Sequence, residues 1–536
     1  MPRSSQIING REYAYEYKSV WNKEKQRSEQ KREYIGRIID GEFVPNKNYQ
    51  LREKLSKERE TPDKPGPVPA IECKRLFSGA TYLLDQLGET LGIEIDLESC
   101  FPSHHREILS LAYYLALEPS SPLYRFKRWA ATHKHPYGKD IPSQRSSEIL
   151  PVVTESAKMD FFRKQSKRHS ESEYLFYDST SISSYSEQLK QVKYGKNKDG
   201  DKLAQINLAL LLGQSSGLPV YYRKLPGNIT DVTTITNLLT GIEYLDLNKT
   251  KIVMDRGFYS AKNVNELFKG HHKFLIGGKI SLKFIQEQLK TKRENFDRRE
   301  NYNSDTALFI MSQTIDWDYE ETKPRSGEVI NEKRRMYVHI YYNDQKATDD
   351  KLRFNKMLDS LEEELKSGKR KEEHEKSYSK YFDVTVTPVR GVKVTPIQKA
   401  IDNARKDYGF FVLLSNGVKD PIEALNLYRS KDVIEKAFND LKSRLNMRRT
   451  SVSSEENMEG KLFLQYIGLI YLLHIKHAME KVGLFKKYTM QELFDELDVI
   501  ELYQQPGGAS YYGEMTEKQR DIYIALGVNP PKASPA

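Results

Sequence analysis

Only two cysteines, Cys73 and Cys100, occur in 536 residues. They are too few for a disulfide framework and too far apart for a zinc knuckle, so a reducing, intracellular setting is expected. No apolar stretch reaches the roughly 20 residues that a membrane helix needs. The longest, residues 462–475, is interrupted by Gln465 and His474 and reads as a buried core helix. The opening Met-Pro-Arg-Ser-Ser-Gln lacks the basic-then-apolar order of a secretion signal. Glycine loops of the G-x-G-x-x-G and G-x-x-x-x-G-K-[ST] types are absent, as are a G-x-S-x-G nucleophile turn and an H-E-x-x-H helix. No organic cofactor and no membrane partner are expected.

What the chain has in quantity is charge. Charged residues make up 30% and hydrophobic ones 38%, a balance that fits folded domains with a highly charged surface. Lys and Arg outnumber Asp and Glu by 85 to 75. The surplus is compatible with a polyanionic partner, although many ordinary basic proteins share it. The length calls for several domains, since single cores seldom grow beyond ~250–300 residues.

Residues 7–44 are polar and basic with alternating Tyr13, Tyr15 and Tyr17, which predicts a short β-ribbon; a charged helix is expected near 51–60. The prolines of residues 61–69 deny helix and central strand and predict a linker, closing a basic arm over 1–66. Leu83, Leu84 and Leu87, then Ile108, Leu109, Leu111 and Leu115, predict a helical region over 67–168. From Tyr174 short apolar runs take over. Strands are expected at 174–177, 203–212 and 218–225, the last two joined as a hairpin through Gly213-Gln-Ser-Ser-Gly217. Helices near 231–244 and 261–268 alternate with strands at 251–254 and 273–276, giving an α/β layer on a mixed sheet over 169–280. Residues 281–407 break this rhythm. Their β-like pieces at 307–311, 336–342 and 382–387 flank a charged helix bearing Leu358, Leu361 and Leu365, so they read as an inserted β-rich subdomain. The α/β pattern resumes over 408–480 with a strand at 409–414 and one long helix at 430–445. A helical C-terminal region over 481–536 ends in a disordered tail from 529.

Asp178 follows directly on Tyr174-Leu-Phe-Tyr177, and Asp255 on Lys251-Ile-Val-Met254. Each is expected at the carboxyl end of a strand, where ligands gather in open α/β sheets. Taken singly, either aspartate fits a turn residue better than a ligand; two at equivalent positions shift the balance. Tyr428, Lys431, Glu435 and Lys442 are spaced 3, 4 and 7 residues apart. On one continuous helix they fall within a ~60° arc. Ile434, Phe438, Leu441 and Leu445 form the neighbouring apolar stripe that anchors it. The plain alternative, a solvated face of i,i+4 pairs, scatters charge around the polar side, whereas this line is narrow. Three carboxylates suit phosphoryl transfer. Mg²⁺ takes oxygen ligands and keeps positions for water and phosphate oxygens. Two such ions about 3.5–4 Å apart serve both the attacking and the leaving oxygen.

Together Tyr177-Asp178-Ser-Thr, Met254-Asp255-Arg-Gly-Phe258 and Tyr428-x2-Lys431-x3-Glu435-x6-Lys442 resemble the three acidic motifs of bacterial insertion-sequence transposases, in the branch with a tyrosine–arginine–glutamate–lysine signature. Leu225-Pro-Gly-Asn-Ile-Thr-Asp231 resembles a stretch common there, and Gln144-Arg-Ser-Ser147 is similar to its longer members. The resemblance implies a ribonuclease-H-like catalytic core with a β-rich insertion before the Glu-bearing helix, plus N-terminal DNA-binding regions. It implies that Asp178, Asp255 and Glu435 hold Mg²⁺, or Mn²⁺ in its place. It makes Tyr428, Lys431 and Lys442 contacts to double-stranded DNA, joined by Arg256, Arg429, Arg448 and Arg449. The family has Arg where Lys431 stands, and lysine keeps the charge but loses the bidentate fork. The implied activity is cleavage at terminal inverted repeats and strand transfer, by a homodimer on DNA in the bacterial cytoplasm and nucleoid. The alternatives are a catalytically inactive, repurposed DNA-binding descendant and a nuclease without strand transfer.

Weaker candidates remain. Asp231 is expected to cap the following helix rather than bind metal. Trp317, the only tryptophan of the insertion, fits a packed core better than a platform for a flipped base. Arg125, Lys127, Arg128, His133, Lys134 and His135 either grip inverted repeats or form a solvated basic surface. Lys442, Arg444, Arg448 and Arg449 are expected to face the donor strand.

Overall fold

The computed structural model describes residues 3–22, 27–59, 74–169, 173–186, 189–247, 250–323, 327–387, 391–450, 452–505 and 510–532. The expected linker at 61–69, Glu60, Cys73 and the last four residues of the tail lie outside the described residues.

The chain divides into two compact units, Met1–Cys73 and Lys74–Ala536. In the first, the expected ribbon is a complete antiparallel sheet of four strands, Arg3–Ile8, Arg11–Asn22, Arg27–Ile39 and Glu42–Pro45. The helix Lys47–Arg59 supplies Tyr49 to a small centre with Ala14 and Ile35.

The second unit is built on a ten-stranded mixed sheet. Its main strands are β1 (Tyr174–Ser184), β2 (Gln205–Gly213), β3 (Pro219–Pro226), β4 (Lys251–Met254), β5 (Lys273–Gly278), β6 (Leu308–Thr322), β7 (Val329–Tyr342) and β8 (Phe410–Ser415). Across the sheet they run β6-β7-β8-β5-β4-β1-β2-β3. β1, β2 and β3 are antiparallel, while β4 pairs parallel with β1 and β5 parallel with β4. The order 3-2-1-4-5 with this orientation is the ribonuclease-H-like core, as expected. The apolar runs that mark these strands are buried on both faces: Leu208 to Leu212 and Ile252 to Met254 are all at most 3% exposed.

The insertion departs from expectation. β6 and β7 are not a separate β subdomain but a long hairpin that extends the core sheet through β8. What stands apart is largely helical. Helix α1 (Asp344–Lys366), the helices Glu375–Tyr381 and Gln398–Arg405, and the hairpin Phe382–Thr387/Gly391–Pro396 enclose their own cluster of Phe354, Leu358, Leu361, Leu365 and Tyr381.

After β8 the helix expected at 430–445 is α3 (Asp432–Ser443), and Tyr428, expected on the same helical arc, lies on a separate preceding helix, α2 (Pro421–Arg429). Ile434, Phe438, Leu441 and Leu445 are buried as the apolar stripe requires. Helix α4 (Glu455–Val482) contains the apolar run 462–475 and buries it in the core against the helix His105–Leu117.

Candidate active site

The sheet has a gap where the acids meet. β4 ends at Met254 opposite Tyr177 of β1, and the short strand Arg449–Thr450 pairs with β1 only from Ser183 onwards. Residues 178–182 of β1 therefore have no strand neighbour on that side among the described residues. Asp178 sits at the start of this gap, midway along β1 rather than at its end as expected, because β1 runs on to Ser184. Asp255 is the first residue after β4 and lies one register step on, beside it.

The two aspartates are not equivalent. The Asp178 carboxylate accepts from the Ser179 backbone N–H at 2.8 Å and has Lys198 Nζ 3.6 Å away. Burial pushes its pKa above the usual carboxylate range against the pull of Lys198 and Lys431, and the charge of Asp255 adds to the push. At Asp255 burial also opposes ionisation. There the Tyr428 hydroxyl, donating to Oδ1 at 2.5 Å, outweighs it together with Lys431 and Arg256, and the carboxyl is held below its usual range.

The break between α2 and α3 explains this contact. Tyr428 belongs to α2, so it does not share a helical arc with Glu435, and Lys431 sits at the cap position of α3. Gly277 on β5 leaves room for the tyrosine: a Cβ there would lie 2.9 Å from the Tyr428 hydroxyl and 2.9 Å from the Arg256 nitrogen. Lys431 is 7% exposed. Its ammonium lies 3.7 Å from Asp255 and 3.8 Å from Glu435, and over the Tyr428 ring at 5.5 Å. It thus bridges the second and third acids from inside the site instead of presenting a free charge at the surface. Glu435 is the exposed member, with 63% of its side chain accessible on the first turn of α3.

Sequence reasoning missed Lys198, which carries no periodic signal because it comes from the irregular segment before β2. It donates to the Ser179 carbonyl at 2.7 Å and lies 3.5 Å from Asp231. Asp231 does not cap the next helix. It accepts from Ser179 Oγ at 2.6 Å, and its other oxygen approaches Gly257, so it belongs to the site's wall.

The remaining candidates divide. Arg256, Arg429 and Arg448 are exposed. Arg449 is exposed but pairs with Asp201 at 3.0 Å and donates to the Tyr185 hydroxyl at 2.8 Å. Lys442 is paired with Asp199 at 2.6 Å with only 11% of its side chain accessible, and Arg444 is half-buried against Gln491. Neither stands free as the donor-strand reading required. In the upstream cluster, His133 is buried between Trp129 and Asp498, and burial pushes His135 down to about 4, so both serve the interior. Lys127 and Lys134 face Asp140 and Asp85, at 3.8 and 3.4 Å. Trp317 is 8% exposed, edge-on to Phe284 and bonded to Asn265, so it is a packed tryptophan.

Among the described residues no three carboxylate, histidine or cysteine groups already converge closely enough to hold a metal ion. The donor chemistry nevertheless fits a hard divalent cation: two adjacent aspartates, an exposed glutamate, and ammonium groups of Lys198 and Lys431 lying against the carboxylates as internal counter-charges.

The family model described as transposase DDE domain matches residues 169–472. The chain is similar in structure to a piggyBac transposase synaptic complex with hairpin DNA, at a TM-score of 0.36 and 10% identity over 74% of this chain and 70% of that one. It is similar also to the Mos1 mariner paired end complex with Mn, at a TM-score of 0.15 and 14% identity over 49% of this chain and 79% of that one. No curated protein matches.

Proposed function

The chain belongs to the transposase DDE domain family, and on that premise we propose that it cuts the ends of a mobile DNA element and joins them to a target by metal-dependent phosphodiester chemistry. The observation that carries this reading is the placement of Asp178, within β1, beside Asp255, directly after the parallel strand β4, at a gap in the sheet, with Lys431 linking Asp255 to Glu435.

Asp178, Asp255 and Glu435 are the residues that would hold the metal. Bound there, Mg²⁺ or Mn²⁺ supplies Lewis acidity to the phosphate and lowers the pKa of attacking water. Asp255 is kept ionised by the Tyr428 hydroxyl, whose own pKa is raised by burial and by that carboxylate, so it stays a donor. Asp178 is fixed by its strand and by the Ser179 N–H. Glu435 completes the set by a side-chain rotation, which its exposure permits, and Lys431 is then released from the carboxylates towards the phosphate. Exposed Arg256, Arg429 and Arg448 suit DNA phosphates, which position a strand without reading its sequence.

Two copies of the chain pairing two ends, on the terminal inverted repeats of its own element, complete the proposal. The test is incubation of the protein with DNA carrying the inverted repeats that flank its reading frame. Cleavage at the repeat tips with Mg²⁺ and joining of pre-cut ends support strand transfer; cleavage without joining leaves a nuclease. Binding without cleavage leaves the repurposed DNA-binding protein.

A further inference from the structure

A second chemistry is built between the helical region and the core. A cavity of about 530 Å³ lies between the short helix Ser143–Ile149, the segment that follows α3, and the first turns of α4. It is walled by Ser147 of the Gln144-Arg-Ser-Ser147 stretch, a motif to which the acidic site gives no role. Among the described residues its lining contains no aspartate or glutamate and one cation, Lys461. Cavities of this size accommodate small organic ligands.

Lys461 stands out among its neighbours. On the same stretch of α4, Glu455 and Glu459 are matched by Lys224 at 2.6 and 3.0 Å, and Glu459 by Lys158 at 2.8 Å. Lys461 has no ion pair or hydrogen bond among the described residues. Burial pushes its ammonium below the usual lysine range, and no nearby charge moves it back. A partly buried ammonium without a counter-ion is costly unless an anion joins it.

A second polar group of the lining, Asn457, is also incompletely satisfied. Asn457 Oδ1 is buried with no partner, while its Nδ2 donates to Ser453 Oγ at 3.3 Å. The lining carries further polar groups, the hydroxyls of Ser147 and Ser453 and the amide of Gln465. The lining also includes Leu123 and the 62% exposed Tyr124, which offer an apolar and aromatic surface. A cation, hydroxyl and amide groups and an aromatic ring lining one cavity match a phosphate with its attached sugar and base.

We propose that this cavity binds a nucleotide through its phosphate, with Lys461 as the counter-charge. The proposal rests on the DNA reading only for the ligand's source, which is a phosphodiester of a bound DNA strand or a free nucleotide. The probe is thymidine 5′-monophosphate, titrated calorimetrically into the full chain in EDTA. The wild type binds it, and thymidine binds at least about tenfold more weakly, a difference of roughly 1.4 kcal/mol. Lys461→Met loses the phosphate preference, whereas Lys461→Arg retains it. A short duplex that displaces the probe identifies DNA as the source, and its log–log salt slope falls by about one in Lys461→Met. A duplex that leaves the probe in place identifies a free nucleotide. Asp178→Ala, which tests the acidic site, leaves probe binding unchanged, so the two readings fail separately. Undiminished binding by a folded Lys461→Met variant overturns the proposal, as does a wild type that binds the monophosphate no better than thymidine.

Discussion

Glu364 in the helical cluster of the insertion and Asp255 at the acidic gap are both held by a tyrosine hydroxyl and a lysine. Glu364 accepts from Tyr378 at 2.5 Å and is ringed by Lys371 and His374, each at 2.7 Å, with 11% of its side chain accessible. Asp255 accepts from Tyr428 at 2.5 Å, but its lysine stands off at 3.7 Å, a second carboxylate lies beside it, and 48% of its side chain is accessible. The first carboxylate is saturated and closed. The second has one firm bond, a loose counter-charge and room for another cation. The contrast separates a carboxylate that holds a fold together from one poised to take a ligand.

Five substitutions sharpen that contrast. The largest effect is expected from Asp178→Ala or Asp255→Ala, each lowering Mg²⁺-dependent cleavage about 10³-fold or more, as removal of a group acting within a catalytic unit does. Thermal melting stays near the wild type or rises in Asp178→Ala, whose charge is disfavoured by burial and by Asp255, and falls in Asp255→Ala, whose ionised carboxylate is favoured by Tyr428 and Lys431. Next comes Tyr428→Phe, which frees Asp255 from the bond that depresses its pKa. The loss expected is about 10–100-fold in metal affinity, typical of groups that orient a ligand. The pH profile carries the sign: Asp255 is ionised above its depressed pKa, so removing the hydroxyl moves the acid limb of activity to higher pH. Gly277→Ala crowds the same hydroxyl and is expected to act in the same direction.

The smallest effect on activity, and the clearest on stability, is expected from Glu364→Gln. His374, Lys371 and Tyr378 hold Glu364 down to about 2, below its ordinary 4.5. Its contribution to stability is therefore full above the unfolded value and is lost as pH falls towards 2. The variant should melt earlier at neutral pH and faster in hydrogen exchange over residues 344–408. The gap to the wild type should close as the solution is acidified, with cleavage per folded molecule retained. A cleavage defect matching that of Asp255→Ala would break the contrast.

The core strands and both aspartates were legible because each acid ends or follows an apolar run whose side chains must be buried. The stripe Ile434, Phe438, Leu441 and Leu445 was legible for the same reason. The break at Ser430 and Lys431 was not, since neither proline nor glycine marks it and the periodicity passes through. The outer half of β6 escaped because Asp316, Asp318 and Glu320 alternate on a hairpin whose outer faces need no apolar pattern. Asp231 read as a cap because proline, glycine and asparagine precede it. Its partners Ser179 and Lys198 lie far away in sequence, and only the folded chain brings them together.

The most direct test is a crystal structure of the chain soaked in Mn²⁺, read by anomalous scattering. The account predicts a peak within coordination distance of Asp178 and Asp255, with Glu435 turned inward and Lys431 withdrawn from Asp255. A chain that leaves Lys431 between Asp255 and Glu435 at saturating Mn²⁺, with no peak beside either aspartate, would contradict it.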